Sequence, residues 1–247
     1  MRKQNQKVVL ITGANKGIGY ETARQLGKQG FSILIGARNK KRGIDAETKL
    51  RLENINAHFI ELDVTSHDSV EKAAKEIDIS YGRLDILINN VGGVFGKLEE
   101  ILIPSHTDIN ALRETFETNF FSMITVTKTM LPLLRNAREG RIVNLSSGLG
   151  SLTLQSDSTY EYYDHKILVY NASKTAVNSW TVHLAYELRD TNIKVNSADP
   201  GFTATDLNNF QGTRSVEQAA KVIVQLANLP TDGPTGHFFD ENGIVPW

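Results

Sequence analysis

Tyr170 and Lys174 lie four residues apart in a segment whose apolar residues recur with the period of a helix. Residues at this spacing occupy one face of a helix. Reduction of a carbonyl group needs a hydride on the carbon and a proton on the oxygen. A tyrosine hydroxyl, with an ordinary pKa of about 10, can supply that proton when a neighbouring ammonium stabilises its phenolate. A Tyr/Lys pair taken alone is more often a solvated helix face, so its neighbours decide between the two interpretations.

Ser147 is the second residue after an apolar run, Arg141–Leu145, that is typical of a buried strand. Its hydroxyl could donate a hydrogen bond to a substrate carbonyl beside Tyr170. A serine in this position also commonly turns or caps the chain after a strand. The sequence leaves both interpretations open.

A glycine-rich loop follows the first apolar run and precedes an amphipathic helix. Glycines allow a tight turn and let backbone N–H groups approach a pyrophosphate at the helix N-terminus. Steric need alone can also place glycine in a turn, but the junction of a strand and a helix is where dinucleotide binding requires it. The predicted contacts of this loop are Gly13, Asn15, Lys16, Gly17, Ile18 and Gly19.

The residues after the second apolar run distinguish between two dinucleotides. An NAD site usually has a carboxylate there for the ribose 2′-hydroxyl, whereas this chain has Ala37-Arg38-Asn39 and no acid. Arg38 and Lys16 could bind a 2′-phosphate, although both could equally be solvated surface cations. The sequence therefore predicts NADPH or NADP+ as the cofactor.

Two further strand ends complete the predicted cofactor site. Asp63-Val64 ends the third strand, where the carboxylate could accept from an adenine amino group or cap the next helix. Asn90 and Gly92 follow the fourth strand, where glycine could bring the backbone close to a ligand and asparagine could simply stabilise the turn.

Strand and helix patterns alternate along the whole chain. The predicted strands are Val8–Thr12, Ser32–Gly36, His58–Leu62, Ile86–Asn89, Arg141–Leu145, Lys194–Ala198 and His237–Phe239. The predicted helices are 17–29, 40–53, 67–80, 107–136, 168–190 and 215–228. The alternation predicts an α/β fold, with one Rossmann-type, doubly wound parallel sheet of about seven strands and helices on both faces. We expect residues 1–247 to form a single domain whose strand ends meet at one edge of the sheet.

The composition argues against several other functions. The net charge is −1 at pH 7, from 27 basic and 28 acidic residues, so no long-range field attracts nucleic acid or anionic lipid. The absence of cysteine excludes disulfides and thiolate chemistry and suits a reducing cytoplasm, which is the predicted location. No segment reaches the ~20 apolar residues of a membrane span. The histidines lack metal-ligand spacing, so we expect no metal site.

In this order and spacing, the motifs resemble those of the short-chain dehydrogenase/reductase family, in its NADP-preferring, carbonyl-reductase-like branch. The resemblance covers essentially the whole chain. It implies that Tyr170 is the acid/base, that Lys174 lowers its pKa and binds the nicotinamide ribose, and that Ser147 orients the substrate. It also implies that Asn119, inside the long central helix, holds a water of a proton relay.

The resemblance adds a loop that meets the nicotinamide carboxamide. The residues of this sequence that match it are Pro200, Gly201, Thr203 and Thr205. It also implies that Lys16 and Arg38 bind the 2′-phosphate, that Asp63 and Val64 contact the adenine, and that Asn90 and Gly92 lie beside a cofactor ribose.

The chain departs from the family's pattern in two places. Val91 stands where alanine is common. Ser147 and Tyr170 are 23 positions apart, which is more than compact members have, and the insertion around 154–166 is rich in tyrosine. It could be a substrate flap or a surface excursion with aromatic residues packed beneath it. Carbonyl reductases of the family carry an insertion here that can obstruct the helix pairing of tetramers, so a monomer, a dimer and a tetramer all stay open.

Apolar residues near the predicted site favour a neutral or hydrophobic ketone or aldehyde, or the corresponding alcohol, as substrate. They are Val94, Phe95, Leu149, Phe202, Leu207 and Phe210, although an aromatic residue near a loop is also commonly satellite core. One alternative is an epimerase or dehydratase, for which we expect too little chain after Trp180. The other is a redox-sensing or scaffold protein that binds NADPH without turnover, which would have no chemical need for the four predicted catalytic residues.

Overall fold

The computed structural model describes residues 6–97 and 102–247. Within them, one parallel sheet consists of β1 Val8–Thr12, β2 Ser32–Ala37, β3 Ala57–Glu61, β4 Ile86–Asn89, β5 Gly140–Leu145, β6 Ile193–Ala198 and β7 Phe238–Phe239. The strand order is β3-β2-β1-β4-β5-β6-β7, and every neighbouring pair is parallel. The order switches direction between β1 and β4, which is where sheets of this kind bind ligands.

Within residues 6–97 and 102–247, helices cover both faces of the sheet. They are α1 Gly17–Lys28, α2 Lys40–Leu52, α3 His67–Tyr81, α4 Ile109–Phe116, α5 Ser122–Arg135, α6 Leu152–Ser156, α7 Leu168–Glu187 and α8 Val216–Ala227. Helices α1, α2 and α8 pack on one face, and α3, α5 and α7 pack on the other. None of them is long and apolar enough to cross a bilayer. The predicted fold class is confirmed.

The burial of β1 explains why its sequence is a continuous apolar run. Successive strand residues point to opposite faces of a sheet. Val8 and Leu10 pack with α3, α5 and α7, whereas Val9 and Ile11 pack with α1, α2 and α8. All of β1 is buried, as expected of a central strand with helices on both sides.

A buried polar strip crosses the core near the carboxyl ends of the strands. Asn89 on β4 donates from Nδ2 to Oδ1 of Asn144 on β5 at 2.8 Å. Asn144 donates from Nδ2 to Oγ1 of Thr181 on α7 at 2.9 Å, and that oxygen lies 2.8 Å from Oγ of Ser197 on β6. All four side chains are buried. The strip therefore links three strands and one helix through side chains alone.

The helix predicted over 107–136 is less regular than the sequence indicates. Asp108 caps it, with its carboxylate accepting from the N–H groups of Asn110 and Ala111, so α4 begins at Ile109. A π-helical turn, Glu117–Phe121, then joins α4 to α5. The other difference is in the insertion, where the short helix α6 precedes a series of turns.

Candidate active site

The carboxyl ends of the strands surround a cleft of about 920 Å³. This volume is in the range of pockets that hold cofactors and substrates. The predicted cofactor contacts that line it are Gly13, Asn15, Lys16, Gly17, Ile18, Gly19, Arg38, Asp63, Val64, Asn90, Gly92, Tyr170, Lys174, Pro200 and Thr205. Gly201 and Thr203 do not line it. The fold therefore brings together residues that are distant in sequence.

The glycine loop is fixed against the segment that follows β4. Asn90 donates from its backbone N to Thr12 Oγ1 at 2.9 Å and from Nδ2 to the Thr12 carbonyl at 2.7 Å. A Cβ on Gly19 would lie 2.5 Å from Asn90 Nδ2, and Gly13 has a φ of 68°. Glycine is thus required at Gly19 by the neighbouring amide and at Gly13 by the backbone conformation.

The N-terminus of α1 opens into the cleft without a cap. Lys16 holds the N-cap position but makes no side-chain hydrogen bond to the first turn, which also contains no acidic residue. Helices α3 and α8 differ, since Ser66 and Ser215 cap them. The free N–H groups and the positive end of the α1 dipole leave a place for an anion, as the sequence predicts.

Arg38 and Asp63 line the part of the cleft that is predicted to bind the adenosine, and their contacts differ. Arg38 is exposed at the cleft and forms no ion pair with any acid in the described ranges. Asp63 Oδ1 accepts from Thr65, from its N–H at 3.1 Å and its hydroxyl at 2.7 Å. Ser66, rather than Asp63, caps α3. Of the two roles open to Asp63, helix capping is excluded, and the adenine contact stays a prediction.

Tyr170 lines the cleft, whereas Ser147 and Asn119, the other two predicted catalytic residues besides Lys174, do not. Tyr170 is half-buried in the first turn of α7, and the Ser147 hydroxyl lies near enough to the Tyr170 hydroxyl to affect its pKa. Burial, with a contribution from the Asp199 carboxylate, raises the pKa of Tyr170 to about 12, while the neighbouring Ser147 hydroxyl opposes the rise. Ser147 also accepts from the Leu149 N–H at 3.2 Å. Ser147 thus caps the turn after β5, and its hydrogen bond to a substrate carbonyl stays a prediction.

Lys174 lies one turn beyond Tyr170 and is almost fully buried. Its Nζ donates to the Leu145 carbonyl at 2.8 Å and lies 5.6 Å from the centroid of the Tyr170 ring. Burial lowers the pKa of Lys174 to about 8. Burial dominates the pKa of Tyr170 in this structure, and the role of Lys174 in lowering that pKa stays a prediction.

Asn119 lies in the π-helical turn and joins α7 to the glycines after β4. Its Nδ2 donates to Ser173 Oγ and to the Gly93 carbonyl, both at 2.9 Å, and its Oδ1 accepts from the Gly93 N–H at 2.7 Å. A Cβ on Gly92 would be 3.3 Å from Lys174 Nζ and 3.6 Å from Asn119 Oδ1. The side chain of Asn119 thus positions the loop beside Lys174, and its role in holding a water stays a prediction.

The loop after β6 lines the cleft with only two of its four predicted contacts, Pro200 and Thr205. Thr203 is buried, and its hydroxyl donates to the Gly201 carbonyl at 3.0 Å, within its own loop. The predicted contact of Thr203 with a carboxamide stays a prediction. Thr205 lines the cleft, and Asp206 next to it forms an ion pair with Lys16 on the opposite wall.

The insertion around 154–166 extends towards the loops that follow β5 and β6. A Cβ on Gly148 would lie 2.5 Å from the Tyr160 hydroxyl and 2.9 Å from Asp199 Oδ2. The ring of Tyr162 packs against Phe202, with centroids 6.0 Å apart. Aromatic residues of the insertion therefore lie between the Ser147 loop and the Pro200-Gly201 loop. This placement fits a flap, although their packing also fits the alternative interpretation.

Sequence reasoning missed several residues of the site. Asp206, Val216 and Glu217 line the cleft, and Asp199 is a buried carboxyl whose pKa is raised by burial. Asp199 accepts from the Gly201 N–H at 2.9 Å. Its position immediately after an apolar strand is a signal that could have identified it, since the other site residues share it. The predicted pocket residues Phe95, Leu207 and Phe210 also line the cleft, whereas Val94, Leu149 and Phe202 do not.

Comparison with known proteins agrees with this geometry. A family model described as short chain dehydrogenase matches residues 7–215. Short-chain dehydrogenase anuI of Penicillium roqueforti is 36% identical over 256 residues, covering 99% of this chain and 98% of that protein. Carbonyl reductase (NADPH) 1 of Mus musculus is 31% identical over 282 residues, covering 98% of this chain and 99% of that protein.

The fold also matches solved structures. The crystal structure of NADPH-bound carbonyl reductase from chicken fatty liver has a TM-score of 0.85, covering 98% of this chain and 99% of that chain. At 24% identity this likeness shows the fold alone. With the family match over most of the sequence, the chain belongs to the short-chain dehydrogenase family of oxidoreductases. Members of this family use nicotinamide cofactors, and the residues lining the cleft fit such a group.

Proposed function

We propose that the protein is an NADPH-dependent carbonyl reductase. It transfers a hydride between the nicotinamide and a neutral or hydrophobic ketone or aldehyde, with Tyr170 as the proton donor. The observation that carries the proposal is that Tyr170, with the Ser147 hydroxyl near its own, lines the same cleft as Lys174 and the glycine loop. The residues proposed for binding and for catalysis belong to one sheet, so residues 1–247 act as a single domain. The proposed location is a reducing cytoplasm.

The preference for NADPH rests on charge. The uncapped N-terminus of α1 suits the pyrophosphate, and Arg38 and Lys16 are the cations on the cleft wall that suit a 2′-phosphate. No acid follows β2 to bind a 2′-hydroxyl instead. The mouse carbonyl reductase to which the chain is similar is named for NADPH, which supports the same choice.

The chemistry divides between three side chains. Bound NADPH would supply the hydride to the carbonyl carbon. As negative charge develops on the substrate oxygen, Ser147 donates a hydrogen bond to it and Tyr170 transfers its proton, so that the product is the alcohol. With a pKa of about 12, Tyr170 is protonated at neutral pH, which suits reduction. Lys174 has three N–H donors and gives one to Leu145, so the others can bind the nicotinamide ribose.

The substrate end of the cleft favours an uncharged compound. Phe95, Leu207 and Phe210 line the cleft and give it apolar walls. Tyr160 and Tyr162 of the insertion lie over the same end, next to the loops that carry Ser147 and Pro200. Apolar walls with a few polar groups are typical of sites for hydrophobic carbonyl compounds.

The proposal is tested by the loss of absorbance at 340 nm with a panel of ketones and aldehydes. We expect wild type to oxidise NADPH with at least one carbonyl, and Tyr170→Phe to lose this activity by at least about 100-fold, the usual contribution of a positioned acid. Tyr186→Phe is the matched control, because Tyr186 is exposed on the same helix. If wild type binds NADPH but no carbonyl accelerates NADPH oxidation beyond the Tyr170→Phe rate, the proposal fails.

A further inference from the structure

An ion pair connects the two walls of the cleft. Lys16 belongs to the glycine loop at the N-terminus of α1, and Asp206 belongs to the loop after β6. Both residues line the cleft, and their side chains are 56% and 51% exposed. The two loops also approach each other nearby, since the Thr205 methyl group would be 3.8 Å from a Cβ on Gly17. A ligand that uses Lys16 therefore meets Asp206 as well.

Asp206 is held in place by the structure of its own loop. It begins a short 3₁₀ turn, Asp206–Asn208, that is closed by a capping box between Thr205 and Asn208. Asn208 also donates from Nδ2 to the Thr203 carbonyl at 2.9 Å. Asn209 follows with a φ of 51°, a left-handed conformation that makes the chain reverse sharply. The carboxylate is thus kept opposite Lys16 by backbone geometry and not by the ion pair alone.

The pair has different consequences for the two nicotinamide dinucleotides. A 2′-phosphate carries a charge of about −1.5 to −2 at pH 7 and would compete with Asp206 for the same ammonium. The carboxylate also repels the phosphate at short range. A dinucleotide with a free 2′-hydroxyl makes no demand on Lys16 and leaves the pair intact. The pair therefore acts selectively on the phosphorylated form.

We infer that Asp206 is a specificity-determining residue of the cofactor site, whose carboxylate competes with the 2′-phosphate for Lys16 and so weakens NADPH binding selectively. This inference rests on the proposed function, because it takes Lys16 as a 2′-phosphate contact. Asp206 limits how strongly the site retains the phosphorylated dinucleotide and thereby favours its release after each turnover. Arg38, which has no acidic partner in the described part of the chain, keeps the overall preference for the phosphate.

The test measures binding by calorimetry with 2′,5′-ADP and with 5′-AMP, which differ only in the 2′-phosphate and contain no nicotinamide. We expect Asp206→Asn to bind 2′,5′-ADP about fivefold more tightly, the strength of a good exposed ion pair, and to bind 5′-AMP within about twofold of wild type. In a Lys16→Met background the same substitution should change neither affinity by more than about twofold. Asp232→Asn is the matched control, since it removes an exposed carboxylate at the opposite edge of the sheet. Its neighbour Thr231 donates to Glu139, which directly precedes β5 and marks the amino end of that strand.

Each outcome decides between the two hypotheses. If Asp206→Asn leaves both affinities unchanged, shifts them equally, weakens 2′,5′-ADP, or keeps its effect without Lys16, the inference is wrong while the proposed function stands. If wild type binds 2′,5′-ADP no better than 5′-AMP, both the NADPH preference and the inference are wrong. If Asp206→Asn behaves as expected but no carbonyl is reduced, the inference stands and the proposed function fails.

Discussion

Replacing Lys174 with methionine should stabilise the folded protein at neutral pH while removing the proposed activity. The Lys174 side chain is 4% exposed, and burial lowers its pKa from the ordinary 10.5 to about 8. One pKa unit corresponds to about 1.4 kcal/mol, so the charged lysine costs the fold about 3 kcal/mol. Methionine has a similar length and no charge, and it removes this cost.

The sign of the effect depends on pH. Below pH 8 the lysine is protonated in both the folded and the unfolded chain, and the full cost is present. Between about pH 8 and 10.5 the unfolded chain keeps a proton that the folded chain has lost, so the free energy of unfolding of wild type rises by about 3 kcal/mol. At pH 7 the lost hydrogen bond to Leu145 offsets about 2 kcal/mol, which leaves Lys174→Met more stable by about 1 kcal/mol.

Urea unfolding between pH 7 and pH 10, followed by the fluorescence of Trp180 and Trp247 without dinucleotide, measures this difference. We expect Lys174→Met to be more stable than wild type at pH 7, with a Tm about 2–4 °C higher, and less stable at pH 10. Lys72→Met, on the exposed side of α3, is the control and should follow wild type at every pH. Unfolding free energies of wild type and Lys174→Met that stay parallel from pH 7 to pH 10 would refute the reasoning.

Two further predictions concern the cofactor and the proton. The kcat of carbonyl reduction at saturating NADPH should fall as the pH rises through about 8, with a slope of one proton. The reason is that Lys174 then loses its charge while Tyr170 stays protonated. A kcat that is flat up to pH 10 would show that the ammonium is not needed. Gly19→Ala should weaken NADPH binding in a fluorescence titration by at least about 10-fold. The new Cβ would lie 2.5 Å from Asn90 Nδ2 and push α1 from the strand end. An affinity equal to that of wild type would show that the contact is relieved without moving α1.

The architecture and the location of the site could be predicted because each depends on short segments. A continuous apolar run such as Val8–Thr12 identifies a buried strand, and a glycine loop directly after it identifies a ligand-binding end. The order of motifs was enough to place Ser147 beside Tyr170, although 23 positions separate them. These features need no knowledge of which side chains touch.

Most of the features that sequence reasoning missed depend on contacts between distant segments. The ion pair of Lys16 with Asp206 joins residues 190 positions apart, and neither residue is unusual in its local sequence. The π-helical turn at Asn119 has no mark in the helical pattern, and Asn119 binds Gly93, 26 positions earlier. The pKa of Tyr170 depends on burial, which the spacing to Lys174 does not reveal.

The buried polar strip has a consequence for how the sheet assembles. Apolar runs alone distinguish poorly between the correct alignment of two parallel strands and one that slips, since many apolar residues fit the same core. A slip of β5 by one residue would turn Asn144 to the other face of the sheet and leave one N–H of Asn89 unpaired, because the remaining partner of that amide is Thr127. An unpaired buried polar group costs about 1–3 kcal/mol. The strip thus penalises misaligned intermediates, and the strand ends that carry the active site come into line only when β4, β5 and β6 have found their native neighbours.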